Sequence, residues 1–430
     1  MGTYSFTTLG CRLNQAESDS MAEELGGRGL VPVAEGESPD LIVVNTCTVT
    51  KEATKASRMA LRRAVKKHPD AKVVAIGCYA VSNPEEIAAI EGVDLILGND
   101  AKETFTESLA GSPSTVPMLQ LGFVSTPETV SPMRVRANLK AQTGCDEWCT
   151  FCIIPTTRGP LRSMDEDALI AEARTRVAAG ARELVLTGVH LGKYNFDRGG
   201  DERDLLRLFE RLLAIEGVVR LRLSSILSAH LTDEVIAFIA AEPRICRYLH
   251  VPLQAGHDEI LEAMHRPYRI ADYIQRVEAA MAALPGLALA TDLIVGFPGE
   301  TEEHFQATLD VVEHIGFSKL HVFRYSPRAD TAAAEMPDAI HPDVKRDRSK
   351  RLIDLGNRLR ADFLAAHLGR PLEVLVEDER KIDGVTVCSG QTDDYVRVWF
   401  DGEGLLGRLV HVEGHEVRAD GIRGGTLVPI

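Results

Sequence analysis

The 430-residue chain has no run of eighteen apolar residues, so no segment reads as a membrane span. Its opening, MGTYSFTTLGCRLNQ, lacks the basic-then-apolar order of a secretory signal, and the expected location is the cytoplasm. Positive charge is in deficit: the net charge is −15. That argues against broad nonspecific nucleic-acid binding, which needs a basic field, though it leaves room for a local basic face. HExxH and GxSxG are missing, and GVHLGKY (188–194) has neither the glycine spacing nor the Ser/Thr of a complete Walker A loop. No paired-carboxylate motif stands out. What remains is 45% hydrophobic and 26% charged, the balance of a soluble globular protein, and the length calls for two to four domains.

The eight cysteines carry the most information. In a reducing compartment they read as metal ligands, catalytic thiols or small buried hydrophobes. Cys145, Cys149 and Cys152 spell CxxxCxxC, a three-then-two gap. Disulfide frameworks and zinc ribbons rarely use that gap, since zinc usually takes paired CxxC knuckles and four ligands. Three thiolates on one short loop can hold three irons of a cubane cluster and leave the fourth open to a small molecule. An electron carrier normally has four protein ligands, so the missing fourth cysteine points away from simple electron transfer. Three separate buried or zinc-bound cysteines are the bland alternative.

Residues 1–110 alternate strand and helix: strands at 4–10, 40–46 and 72–77, helices at about 14–25 and 51–67, and a further helix opened by Asn83-Pro84. That alternation implies a small open parallel sheet. Cys11, Cys47 and Cys78 each stand just after the carboxyl end of one strand, the edge where such sheets bind ligands, so the three should converge into a second three-thiolate site. Residues 111–133, rich in Pro, Ser, Thr and Gly, read as a linker. Residues 134–368 carry six βα units, with strands at 134–142, 183–188, 220–225, 248–254, 287–297 and 319–326, and end in a charged helix at 342–368. Six units fall short of the eight of a closed barrel and imply an open partial (β/α)6 barrel, with chemistry at the strands' carboxyl ends. Residues 369–430 turn to short alternating strands, a small β-barrel similar in kind to OB-like nucleic-acid modules. The fold class is therefore α/β with a terminal β-barrel. Cys246 and Cys388 read as small core residues.

Together the segments TLGCRLNQAESDSM, VVNTCTVTKEATKASRMALRRA, IGCYAVSNPEE and GCDEWCTFCIIPTTRGPLRS resemble the methylthiotransferase family of radical S-adenosylmethionine (SAM) enzymes, over nearly the whole chain. They look most like the branch that modifies threonylcarbamoyladenosine in tRNA. Arg12-Leu13 stand where the ribosomal-protein branch tends to have a proline-lysine pair. The resemblance implies two [4Fe-4S] clusters, SAM, a TRAM-like terminal barrel, a tRNA substrate and an electron donor such as flavodoxin or ferredoxin. It implies replacement of the C2 hydrogen of an adenine next to the anticodon (position 37) by a methylthio group. Sulfur at the Cys11/Cys47/Cys78 cluster would be methylated by one SAM, and a second SAM, cleaved at the Cys145/Cys149/Cys152 cluster, would supply the radical. The runner-up substrates are isopentenyladenosine in tRNA and a ribosomal-protein aspartate. An iron–sulfur carrier or RNA-binding scaffold that does not turn over SAM is the alternative of another class.

By the same resemblance Phe151 would shield the first cluster. Thr187, Gly188, Ser225 and Gln254, at strand ends, and Gly296, Pro298 and Gly299, in the turn TDLIVGFPGETEEHF, are candidates to hold SAM, with Glu300 and Thr301 capping the following helix. For RNA, Lys55, Arg58, Arg62 and Lys66 fall at helical spacing on one face, and Arg158 and Arg162 are further phosphate candidates. The terminal barrel is acidic, unlike an RNA-holding module, although Tyr395, Arg397 and Trp399 offer a surface that could stack on a base.

Overall fold

The computed structural model describes residues 2–110 and 134–429, so the linker expected at 111–133 lies outside the described residues. The chain forms two compact units. One holds the described residues up to 110 together with 143–146 and 152–162; the other holds 134–142, 147–151 and the rest from 163 onward.

The first unit is a five-stranded parallel sheet. Its strands are β1 (Thr3–Thr8), β2 (Val31–Pro32), β3 (Leu41–Thr46), β4 (Lys72–Gly77) and β5 (Leu95–Leu97), in the order β2-β1-β3-β4-β5. The unbroken apolar runs of β3 and β4 make sense because both faces are covered. Ile42, Val44, Val73 and Ala75 pack to one side with Leu61 and Ile87. Val43, Val74 and Ile76 pack to the other with Tyr4, Met21, Leu25 and Phe105. Helices α1 (Arg12–Gly27), α2 (Lys51–Lys67) and α3 (Cys78–Ser82) follow β1, β3 and β4. Cys11, Cys47 and Cys78 thus leave the carboxyl ends of three strands that are neighbours in the sheet.

In the second unit the six expected parallel strands occur as Arg136–Lys140, Glu183–Thr187, Arg220–Leu223, Tyr248–His250, Ala288–Val295 and Lys319–Arg324. The first three pair in parallel, as do the last three, and a parallel bridge joins Leu221 to Ile245. The fourth strand is shorter than expected. Pro252 has no N–H to give a ladder, and Gln254 adopts a left-handed φ of 67°. A helix at Pro342–Ala365 leads to a closed five-stranded barrel whose strands run, in spatial order, Pro371–Ile382, Val385–Gln391, Arg397–Asp401, Gly421–Pro429 and Leu409–Arg418. Val374, Val376, Val398, Phe400, Val410, Val412 and Ile422 fill it. Cys388 and Cys246 are buried as expected.

Buried charge marks the seam between this barrel and the strands beneath it, beside a small apolar cluster of Tyr248, Ala288 and Ala290 with Phe363 and Tyr395. Arg222, fully buried, donates from Nε and Nη2 to the Glu183 carboxylate at 2.6 and 3.2 Å, and caps the carbonyls of Thr392 and Asp393 at 3.0 and 2.8 Å. Its guanidinium lies 4.3 Å from the Tyr395 ring centroid. Arg220 reaches the carbonyls of Gln391 and Glu373, both at 2.9 Å.

Candidate metal centres and cofactor site

In the first unit the three scattered cysteines come together. Gly10, at φ 93°, packs so tightly that a β-carbon there would lie 2.7 Å from both Cβ and Sγ of Cys47. The thiol of Cys47 is pushed up to about 11, chiefly by burial, with Cys78 and Cys11 close enough to add to the effect. Asn99 Nδ2 lies 3.7 Å from Cys78 Sγ and donates to the Thr157 carbonyl at 2.7 Å. The Cys47 loop is tied to α2, where Ser57 Oγ accepts from the Cys47 N–H at 3.0 Å and donates to its carbonyl at 2.8 Å. Three soft donors from the carboxyl ends of three strands, two of them buried, fit a thiolate-held cluster with one iron left to a non-protein ligand.

The CxxxCxxC loop divides between the units, with Cys145 and Cys152 in the first and Cys149 in the second. Within the first unit the Ile154 N–H points at Cys152 Sγ at 3.5 Å, and Cys145 N–H bonds the Gly159 carbonyl at 3.2 Å. Gly144, at φ 70°, sits so close to the Pro160 carbonyl that a β-carbon would lie 1.8 Å from its oxygen. Within the second unit Arg266 Nη1 approaches Cys149 Sγ at 3.1 Å. N–H groups aimed at cysteine sulfurs stabilise thiolates and tune the potential of whatever they hold. Trp148, 62% exposed, takes a left-handed φ of 49° in the same loop.

The carboxyl edge of the partial barrel supplies unsatisfied polar atoms. Ser224 and Ser228 Oγ, His190 and His230 Nδ1, Tyr325 Oη and Ser326 Oγ are buried without a hydrogen-bond partner among the described residues. They follow the strands ending at Thr187, Leu223 and Arg324. Buried polar atoms are normally paired, so a group of orphans at the functional edge fits a polar ligand such as SAM. Glu147 is anchored by His190 Nε2 at 3.0 Å and Lys193 Nζ at 2.6 Å, which bring its carboxyl down to about 2. His230, in edge contact with His190 at 5.2 Å, is lowered to about 4 by burial and by that neighbour. Sequence reasoning missed His190, Ser224, Ser228 and His230. Their only signal was position after a strand, the same signal that singled out Ser225.

The sequence-named candidates divide. Phe151 packs half-buried on the barrel core. Thr187 is buried, its Oγ1 donating to Val185 of its own strand at 3.3 Å, and Gly188 lies against Gln142. Ser225 is half-buried, and Gln254 sits in its left-handed turn. Gly299 is exposed with open space above it, and Pro298 is buried beside it. Gly296 is a correction: a β-carbon there would strike the Lys345 side chain at 2.4 Å, so its close approach is to a helix of this chain. Thr301 caps its helix, accepting from the His304 N–H at 3.2 Å. Glu300 does not; it accepts the Gly296 N–H at 2.7 Å and pairs with Arg348 at 2.6 Å.

Of the RNA candidates, Lys55, Arg62 and Lys66 are exposed along α2, while Arg58 is half-buried with Glu86 3.5 Å away. Arg162 is exposed and paired with Glu103 at 2.8 Å. Arg158 is a second correction: it is 5% exposed and committed to Glu17 at 2.8 Å, out of reach of a surface phosphate. Tyr395 is half-buried and packs tilted against Tyr248 at 4.7 Å, with Arg397 and Trp399 in contact beside it.

Comparison with known proteins agrees with this geometry. Residues 3–98 match the family described as uncharacterized protein family UPF0004, and residues 139–312 match the radical SAM superfamily. A threonylcarbamoyladenosine tRNA methylthiotransferase MtaB from Bacillus subtilis is 37% identical over 96% of this chain and 94% of its own. The Thermotoga maritima protein of the same name is 35% identical over 94% and 92%. A tRNA-2-methylthio-N(6)-dimethylallyladenosine synthase from Erythrobacter litoralis is 35% identical over 99% and 97%. Among solved structures, the radical SAM methyltransferase TsrM from Kitasatospora setae, at 16% identity, superposes with a TM-score of 0.54 over 78% of this chain and 77% of that one, a likeness of fold. The chain belongs to the methylthiotransferase family of radical SAM enzymes, on its MtaB branch.

Proposed function

We infer that this chain adds a methylthio group to C2 of N6-threonylcarbamoyladenosine at position 37 of tRNA, using SAM and two [4Fe-4S] clusters. The observation that carries the reading is the pair of three-cysteine groups, each one ligand short of closing a cluster, on a chain 37% identical to an MtaB over 96% of its length. The cofactors supply one-electron chemistry at a carbon–hydrogen bond that offers no handle to an acid or base. The chain's own part is to hold sulfur and SAM, aim N–H groups at the ligating sulfurs, and offer polar partners at the barrel edge. Cys11, Cys47 and Cys78 would hold one cluster and Cys145, Cys149 and Cys152 the other. Ser224, Ser228 and the turn at Pro298 and Gly299 are the SAM-facing groups this reading selects. The exposed cations of α2, with Arg162, are its tRNA contacts, and a small reductant such as flavodoxin or ferredoxin is its electron donor. No helix among the described residues is long and apolar enough to cross a membrane. A cytoplasmic site of action follows from the substrate.

The test is nucleoside mass spectrometry of tRNA from cells lacking the gene and from cells complemented with the wild type or Cys47→Ala. The methylthio mark should vanish from threonylcarbamoyladenosine alone and return only with the wild type. Loss from isopentenyladenosine instead would overturn the substrate. Full complementation by Cys47→Ala would overturn the role of the second cluster.

A further inference from the structure

The cysteine trio of the first unit rests on a buried ionic group. Glu17, Lys102 and Arg158 are 4%, 3% and 5% exposed. The Glu17 carboxylate takes Lys102 Nζ at 2.5 Å and Arg158 through Nη1 at 2.8 Å and Nη2 at 3.2 Å. Asn14, one turn before Glu17 on α1, accepts from Arg158 at 2.5 Å and Lys102 at 3.3 Å through Oδ1. Its Nδ2 donates to the carbonyls of Leu9 and Thr46, at 2.7 and 3.1 Å. Leu9 stands two residues before Cys11 and Thr46 directly before Cys47. Asn99 links Cys78 to the Thr157 carbonyl beside Arg158. One network therefore touches the loops of all three ligands.

Two cations share one carboxylate, so with Lys102 protonated this group holds one positive charge in excess; burial lowers the Lys102 pKa and the Glu17 carboxylate opposes that. Besides Glu17, the acidic groups near enough to act on these cations include the cysteines of the trio: Cys78 on both, and Cys11 on Arg158. Burying an unbalanced charge costs several kcal/mol, and neutral thiols do not offset it. A three-thiolate cluster is anionic and gains a further negative charge on reduction, so it offsets that charge best when reduced.

We propose that Lys102 and Arg158, gathered by Glu17, are positioning residues that set the reduction potential of the cluster held by Cys11, Cys47 and Cys78, by keeping one uncompensated positive charge beside it. This rests on the reading that the trio holds a cluster, and it separates Arg158 from RNA binding. A unit charge within roughly 10 Å, at an effective dielectric near 20, changes the reduced-to-oxidised ratio at a fixed potential by about tenfold.

The test uses the full chain with Cys145, Cys149 and Cys152 replaced by alanine, so that the trio alone binds iron. Lys102→Met and Glu17→Gln break the same ion pair but change the charge in opposite senses. Potentiometric titration followed by electron paramagnetic resonance should show Lys102→Met harder to reduce and Glu17→Gln easier, each by about tenfold in ratio. Shifts of the same sign, or none, overturn the proposal, because a packing defect does not know the sign of the charge. If Lys102→Met loses iron, Lys102→Arg decides: iron retained at the parent potential supports the proposal, and equal loss overturns it. If the triple-alanine parent binds no iron, the underlying cluster assignment fails instead.

Discussion

Replacing Arg222 by methionine should loosen the C-terminal barrel far more than its single position suggests. The change leaves Glu183, fully buried, with Arg136 Nε at 3.7 Å as its nearest remaining salt-bridge partner, and leaves the carbonyls of Thr392 and Asp393 without their donor. Breaking a buried pair from one side costs about 3–5 kcal/mol, and Arg136 moves the expectation toward the lower end. The assay is amide hydrogen exchange of the full chain, read on the strands at Pro371–Ile382 and Arg397–Asp401. Protection there should fall by about a hundredfold, while protection of β3 and β4 in the first unit stays unchanged. Adding Glu183→Leu removes the stranded carboxylate and should recover most of the loss, because an apolar pair of similar volume substitutes well for a buried ion pair. Unchanged protection in Arg222→Met, or a double variant as weak as the single one, refutes the reasoning.

Gly10→Ala puts a β-carbon into Cys47 and demands a left-handed φ of 93°, so iron content after reconstitution should fall by about half, the share of one cluster, while Cys145-dependent SAM cleavage persists. His230 should make the second unit pH-sensitive. Its folded-state value is lowered to about 4 against the usual 6.5, so the unfolded chain takes the proton first and stability falls as pH drops from about 6.5 toward 4. His230→Asn should flatten that slope in denaturant melts between pH 7 and 4. Reversing charge on the exposed face of α2 with Lys55→Glu, Arg62→Glu and Lys66→Glu should raise KM for tRNA at least tenfold and reduce the salt dependence of binding, with iron content unchanged.

Much of this architecture was legible in the sequence because parallel strands buried on both faces read as continuous apolar runs. LIVVNT and KVVAIG announced β3 and β4, and the cysteines after them announced the site edge. The helix at 51–67 was legible from the spacing of its cations, and Ser57, Leu61 and Ala64 form its buried stripe. The charged interior was not legible. Glu17 and Arg158 lie 141 positions apart, and Lys102 and Glu17 lie 85 apart. Nothing local distinguishes an arginine destined for a buried carboxylate from one destined for a phosphate. The same holds for Arg222, whose strand reads RLRLSS, an apparent alternation with one polar face. Both faces are buried, and the arginines are covered by the C-terminal barrel, whose pairing with them no window of sequence reveals.

The seam at Arg220 and Arg222 also constrains how this enzyme can be taken apart. A stop codon after residue 368 would do more than delete an appendage, because it would unroof two guanidinium groups and strip them of four main-chain acceptors. Any loss of tRNA modification in such a truncation would therefore mix a missing RNA contact with a damaged catalytic scaffold. Surface substitutions at Arg397 and Trp399, which leave the seam closed, are the cleaner way to ask what the terminal barrel recognises.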